Sequence, residues 1–343
     1  MSGVVTALVP DHPLHFVSEE VGGLALPLVS PLGTDKHDRG HTVLHQPRNG
    51  LHVRLTNVDV LLLAPGPGVA TRVPVLSCRD ALRAGANVEV LELDSDSEVD
   101  DAIKRASEDE ARLVIAGGDA QLRAVLRRMV RRSLPRGGER PAELPSDRTV
   151  PDLPAVGVLP LAPADDDLAT KLGLPRSPSD VAAAVLSGVD RRVDLLRNDG
   201  GSVTLHGALL GGADEHGRPV AWHARIDVDD TPLSDGTEPL LACAVANADG
   251  YGSVGGLPLV VTADPADGVL EVGLALPARP ARGLFGRRRA HGEIEVRRAR
   301  GRAVAFTIQT DDGVPVTDDG ADGTVTKKRT WWMERGAWAV YTG

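Results

Sequence analysis

The sequence predicts an α/β domain built on a parallel sheet, followed by an antiparallel β-sandwich. Three observations carry that prediction. Between Val58 and Leu186, short apolar runs alternate with helical patterns, the order that builds βαβ units. After Arg191 the helical patterns stop, and short alternating segments separated by Gly, Asp, Asn and Pro replace them, as in a sandwich. The chain has 343 residues, enough for two sizeable cores. The expected organisation is an N-terminal extension over 1–56, an α/β domain over 57–190 and a β-sandwich over 191–343. The last strands are expected to pack back on the first domain.

Residues 1–56 are rich in Pro, Gly and His and lack steady periodicity, so no role is read from them. Val58–Ala64 is an apolar run of strand length. Val73–Ala84 has helical spacing, and Asn87–Leu93 reads as the next strand. Ser97–Ser107 reads as a helix capped near Ser95 or Ser97. Arg112–Ala116 is a buried strand that enters Gly117-Gly118-Asp119, and Leu122–Ser133 follows as a helix. Pro135–Pro154 is a polar, Pro-rich loop. Ala155–Pro160 is a further strand, and Asp180–Leu186 is a helix ending near Gly188. The expected sandwich strands are Val193–Leu196, Val203–Leu210, Val220–Val228, Leu240–Ala246, Leu257–Val261, Val269–Ala275, Gly292–Arg298 and Ala303–Thr310.

Composition excludes several classes. A net charge of −10 argues against general nucleic-acid binding. The two cysteines, Cys78 and Cys243, lie far apart without metal-ligand spacing and read as buried thiols of a reducing compartment. The longest apolar runs are too short to span a bilayer, and the first residues lack a basic n-region and an apolar h-region. A cytoplasmic location is expected. Aromatic residues make up only 3%, so Val, Leu and Ala must fill the cores.

A strand that turns through Gly-Gly into a helix is a common phosphate site. Glycine lets the backbone approach an anion, and the helix N-terminus supplies N–H groups and positive dipole. Gly117-Gly118-Asp119-Ala120-Gln121 fits that description, and equally fits a structural strand–helix turn. Pro160-Leu161-Ala162-Pro163-Ala164-Asp165-Asp166-Asp167 follows the later strand, either as an altered divalent-metal site or as a helix N-cap run. Asp264-Pro265-Ala266-Asp267-Gly268-Val269 suits a hard cation by its close oxygens, or forms an Asp-Pro turn unaided. Arg282–Arg289 is a basic–apolar cluster, readable as a membrane-surface loop or a solvated hairpin.

In order and spacing these segments resemble the diacylglycerol kinase catalytic superfamily, which includes bacterial lipid kinases and sphingosine and ceramide kinases. The resemblance covers about residues 58–343. Ala64-Pro65-Gly66 stands at its first turn and Gly117–Gln121 at its Gly-Gly-Asp-Gly-Thr loop. Pro160–Ala169 stands at its Pro-Leu-Gly-Thr segment, and Val193-Asp194-Leu195 at the start of its β domain. Ala246-Asn247-Ala248 stands at its Gly-Asn element, and Asp319-Gly320-Ala321 at its Asp-Gly-Glu turn. The resemblance implies a Rossmann-like sheet of the kind shared with NAD kinases, plus the sandwich. It implies ATP-dependent phosphoryl transfer to a lipid hydroxyl. ATP would be bound through Gly117, Gly118, Asp119, Ala120, Gln121, Pro160, Asp166 and Asp167, and Mg²⁺ through Asp264, Asp267 and Val269. Asp319 and Asp322 are the catalytic candidates at the turn that carries the family's general base, and Asp322 would serve as that base if the turn moved. The lipid would be met at a membrane surface through Arg282–Arg289, and homodimer formation is left open.

Four positions depart from the family pattern. Ala120 replaces a glycine, with a cost of about 1 kcal/mol if it must take positive φ. Gln121 replaces a hydroxyl, Pro163 removes a backbone donor, and Ala321 replaces the Glu base. The alternative expectation is therefore a catalytically inactive pseudokinase acting as a binding or regulatory module. A soluble sugar or nucleoside kinase has no supporting motif.

Overall fold

A computed structural model describes residues 58–134, 143–162, 167–278 and 294–343. The expected N-terminal extension and the Arg282–Arg289 loop lie outside the described residues, as do Pro163, Asp165 and Asp166.

Strand β1 (Val58–Pro65) is buried over Val60–Ala64, as a parallel strand covered on both faces must be. It pairs in parallel with β2 (Ala86–Leu93) and β3 (Arg112–Ala116), and β3 pairs in parallel with β4 (Ala155–Leu159). Alternate residues of β1 serve opposite cores. Leu61 and Leu63 join Val99 and Ile103 of α2 (Asp96–Glu108) and Val125 and Met129 of α3 (Asp119–Ser133). Val60 and Leu62 join Val75 and Cys78 of α1 (Val73–Leu82) and Val181 and Val185 of α5 (Pro178–Ser187). Between β4 and α5 lies the one-turn α4 (Leu168–Lys171).

The caps are local chemistry. Ser95 and Glu98 form a capping box at α2. Ser177 caps α5 ahead of Pro178, and Gly188 closes it at φ 71°. Gly157 of β4 has no space for a side chain: a Cβ there would lie 2.6 Å from Val185 Cγ2.

The C-terminal part is a sandwich of two sheets. Six antiparallel strands form one sheet, in the order Ile294–Gly301, Leu270–Pro277, Ala242–Ala246, β7 (Gly207–Leu210), Val314–Asp318, Ala321–Val325. The other layer continues the parallel sheet. Strand Lys328–Tyr341 pairs with β4 through Ala339 and Val340, and with Ala303–Ile308 and β5 (Asp190–Asn198) through its antiparallel stretches. The parallel and antiparallel parts thus share one hydrogen-bonded sheet. Between the two layers lie Leu196, Ile226, Phe306, Trp331 and Met333 against Leu210, Val245, Val272 and Leu274. Phe306 and Trp331 meet edge to face with centroids 5.4 Å apart.

Two expected strands are divided. Val203–Leu210 is β6 (Val203–Thr204) and β7, belonging to different sheets. The break falls at Leu205 and His206, whose N–H groups bond a side chain rather than a strand. Val220–Val228 likewise breaks into Pro219–Val220 and Ala224–Val228.

Candidate active site

Strands β3 and β4 are parallel neighbours, so the segments after them leave the same edge of the sheet, where open α/β sheets place ligands. The Gly117 N–H donates to the Leu159 carbonyl at 3.0 Å. A Cβ on Gly117 would lie 2.7 Å from the Gln121 Cβ. Gly118 is the extended N-cap of α3, which begins at Asp119 rather than Leu122. Ala120 is therefore helical and carries none of the positive-φ strain that its replacement of glycine suggests. The Gln121 amide oxygen accepts the Gly118 N–H at 3.1 Å. The side chain standing where a hydroxyl was expected thus caps its own helix.

The Asp119 carboxylate accepts the Leu168 N–H, at 3.2 and 3.1 Å to its two oxygens. That bond joins the Gly-Gly turn to the segment after Pro160. Asp167 is the N-cap of α4: it accepts the Thr170 N–H at 2.9 Å and the Arg176 guanidinium at 2.7 and 3.0 Å. Its burial, which pushes its carboxyl up, is outweighed by these donors, and it lies below the ordinary carboxylate range. The N-cap reading of the aspartate run holds at this position.

From the sandwich side, His206 is 5% exposed and faces Asp119, with Nδ1 3.9 Å from Oδ2. Its Nε2 lies 3.3 Å from the Asp249 carbonyl, and its ring meets Tyr251 edge to face. The Lys171 ammonium lies 3.5 Å from Asp249. Sequence reasoning missed His206, Lys171, Asp249 and Tyr251. They form no linear motif, and only the polar break inside Val203–Leu210 marks one of them.

Asp319 is 3% exposed and sits at φ 48°. It accepts the N–H groups of Leu205, His206 and Gly207 at 2.6, 2.9 and 3.0 Å. Burial and the adjacent Asp318 push its carboxyl up, to about 7, against those donors. Asp318 accepts from the Arg123 guanidinium and from the Thr204 hydroxyl, both at 2.7 Å. Arg123 also donates to the Val203 carbonyl at 2.8 Å, tying α3 to the sandwich. Asp322 is exposed and accepts from the Thr317 hydroxyl at 2.8 Å. Ala321 begins a strand beside it.

The loop expected to hold a cation is an internally bonded turn. Asp264 accepts the Ala266 N–H at 3.0 Å, and Asp267 accepts the Val269 N–H at 2.9 Å and pairs with Arg300. Buried Asp194 lies behind this turn and takes the N–H groups of Gly268 and Gly336, both at 2.6 Å. Among the described residues, no three His, Cys, Asp or Glu side chains gather to hold a metal. The oxygens of Asp264 and Asp267 already serve N–H and guanidinium donors, so this donor set does not fit a bound Mg²⁺ as it stands.

Residues 68–198 match the diacylglycerol kinase catalytic domain. A solved diacylglycerol kinase from Bacillus anthracis str. Sterne aligns over 84% of this chain and 97% of its own, at 13% identity and TM-score 0.56. Two further solved chains from the same organism align over the same shares at TM-scores of 0.59 and 0.58 and identities of 12% and 13%. At that identity the likeness speaks for the fold. No curated protein matches the chain. Both segments that meet at Asp119 lie within the matched stretch, while His206 and the Asp318–Asp319 pair come from beyond it. Among the described residues, no helix is long and apolar enough to cross a membrane.

Proposed function

We propose that this chain is a lipid-kinase-like protein whose phosphoryl transfer is weak or absent, and that it acts as a binding or regulatory module. One observation carries this reading: Asp319, the carboxylate at the general-base turn, is buried and engaged by three backbone N–H groups. A general base must reach the proton it removes, within about 3 Å or through one water. Asp319 is turned instead into the turn that joins β6 to β7. Asp322 lies opposite Thr317 in the Val314–Asp318/Ala321–Val325 hairpin, is exposed and accepts from the Thr317 hydroxyl, so it would replace the base only if that turn moved.

The Gly-Gly turn supports the same reading. The first turn of α3 still offers the Ala120 and Gln121 N–H groups, which no helical carbonyl reaches, so an anion can be received there. The Gly118 N–H is already capped by Gln121. ATP would keep the dipole and lose one donor. Phosphoryl transfer depends on positioning and electrostatics, so a retained but thinned site binds better than it turns over.

The test is a titration of the protein with ATP, with and without Mg²⁺, beside a transfer assay using mixed diacylglycerols and sphingoid bases. Nucleotide binding without transfer supports the proposal. Robust lipid phosphorylation rejects it.

A further inference from the structure

At the opposite edge of the sheet, where β3 and β4 begin, lies a cavity of about 690 Å³. That volume is in the range of small-molecule sites. Its floor is apolar: Ile103, Leu113, Met129 and Leu153 all line it and are all buried. Given the length of β3, roughly 15 Å separates it from Gly117. The cavity is therefore not part of the candidate active site.

Its polar lining is unevenly compensated. Arg112 donates to the Val185 and Leu186 carbonyls at the end of α5 and lies over the Tyr341 ring, so its charge meets no carboxylate there. Arg132 is exposed and makes no hydrogen bond or ion pair among the described residues. The carboxylate that feels it, Asp100, is already held by Arg128. Of the two carboxylates on the wall, Asp152 is paired with Arg148 and Arg192 at 2.5 and 2.7 Å. Glu110 alone remains to oppose two guanidinium groups.

We infer that this cavity binds a monomeric single-chain anionic amphiphile, with its chain on the apolar floor and its headgroup on Arg132. Charge complementarity favours an anion, and the buried floor favours an alkyl chain over a compact polar ion. The site would let a lipid product or precursor act on this protein away from the kinase edge.

The probe is 1-lauroyl lysophosphatidic acid below its micellar concentration, titrated by calorimetry, with monolauroylglycerol as the uncharged counterpart. The expected result is one site that weakens with added salt and binds the uncharged compound at least tenfold less tightly. Arg132→Glu should weaken binding at least tenfold, and Met129→Trp, which fills the floor, should abolish it. Arg132 lies on the surface, so its variant keeps the test valid if Met129→Trp does not fold. Gln121→Ala, at the other edge, should leave binding unchanged. No binding at 100-fold excess, equal binding of the uncharged compound, or loss of binding in Gln121→Ala would each overturn the inference.

Discussion

Replacing Asp319 by Asn separates the structural role of this carboxylate from any catalytic one. Asn tolerates the left-handed backbone at φ 48°. Its amide oxygen can still accept from His206 and Gly207, as Oδ1 does now. Its NH₂ group then opposes the Leu205 N–H, which loses an acceptor at 2.6 Å. One buried unmet donor costs about 1–3 kcal/mol, so a loss of about 2 kcal/mol is expected. With a urea slope of about 3 kcal/mol/M, that is a midpoint shift of about 0.7 M. The pH dependence supplies the sign. A carboxyl whose folded value is raised binds its proton more tightly in the native state. Its contribution to stability is therefore fully present below the unfolded value near 4 and is lost as pH rises toward about 7. Asn has no such loss. Urea unfolding at pH 5 and pH 7.5 should show the wild-type advantage shrinking at the higher pH. An advantage that grows with pH would mean that the three N–H donors outweigh burial, and would refute the reasoning.

Other substitutions probe the remaining joints. Gln121→Ser should free the Gly118 N–H and cost about 0.5–1 kcal/mol of stability, while tightening ATP binding in a titration with Mg²⁺. Arg123→Met removes the partner of Asp318, whose side chain is 9% exposed. Breaking such a pair costs about 3–5 kcal/mol, which denaturation will read as early loss of the α3–sandwich contact. Gly157→Ala forces a methyl against Val185 and Val114 and should cost about 1–3 kcal/mol, seen as a lowered melting temperature.

The strand–helix alternation from Val58 to Leu186 was legible because β1, β3 and β4 are short apolar runs and α2 and α3 are amphipathic. The switch to sandwich strands was legible from turn residues. What stayed hidden depended on long-range pairing. The return of the last strands to the first domain is expected from the sequence, but not that one strand, Lys328–Tyr341, joins β4 and the antiparallel strands in one sheet, since pairing with β4 is settled by packing of Trp338 and Val340 into the α/β core. Asp319 was legible as an acidic turn residue but not as a buried one, because its partners lie 112 to 114 positions away. Asp264 and Asp267 suggested a cation from spacing alone, whereas Arg300, 33 residues on, takes up part of that charge. His206 was missed because its neighbours come from three separate segments.

The most direct test of the central claim is radiolabelled phosphate transfer from ATP, with Mg²⁺, to mixed diacylglycerols and sphingoid bases. Because a general base contributes about 10²–10⁴-fold, the account predicts incorporation close to the protein-free background for the wild-type chain, with a rise in Ala321→Glu. Robust wild-type turnover that disappears in Asp322→Asn would contradict it and identify a working kinase with a displaced base.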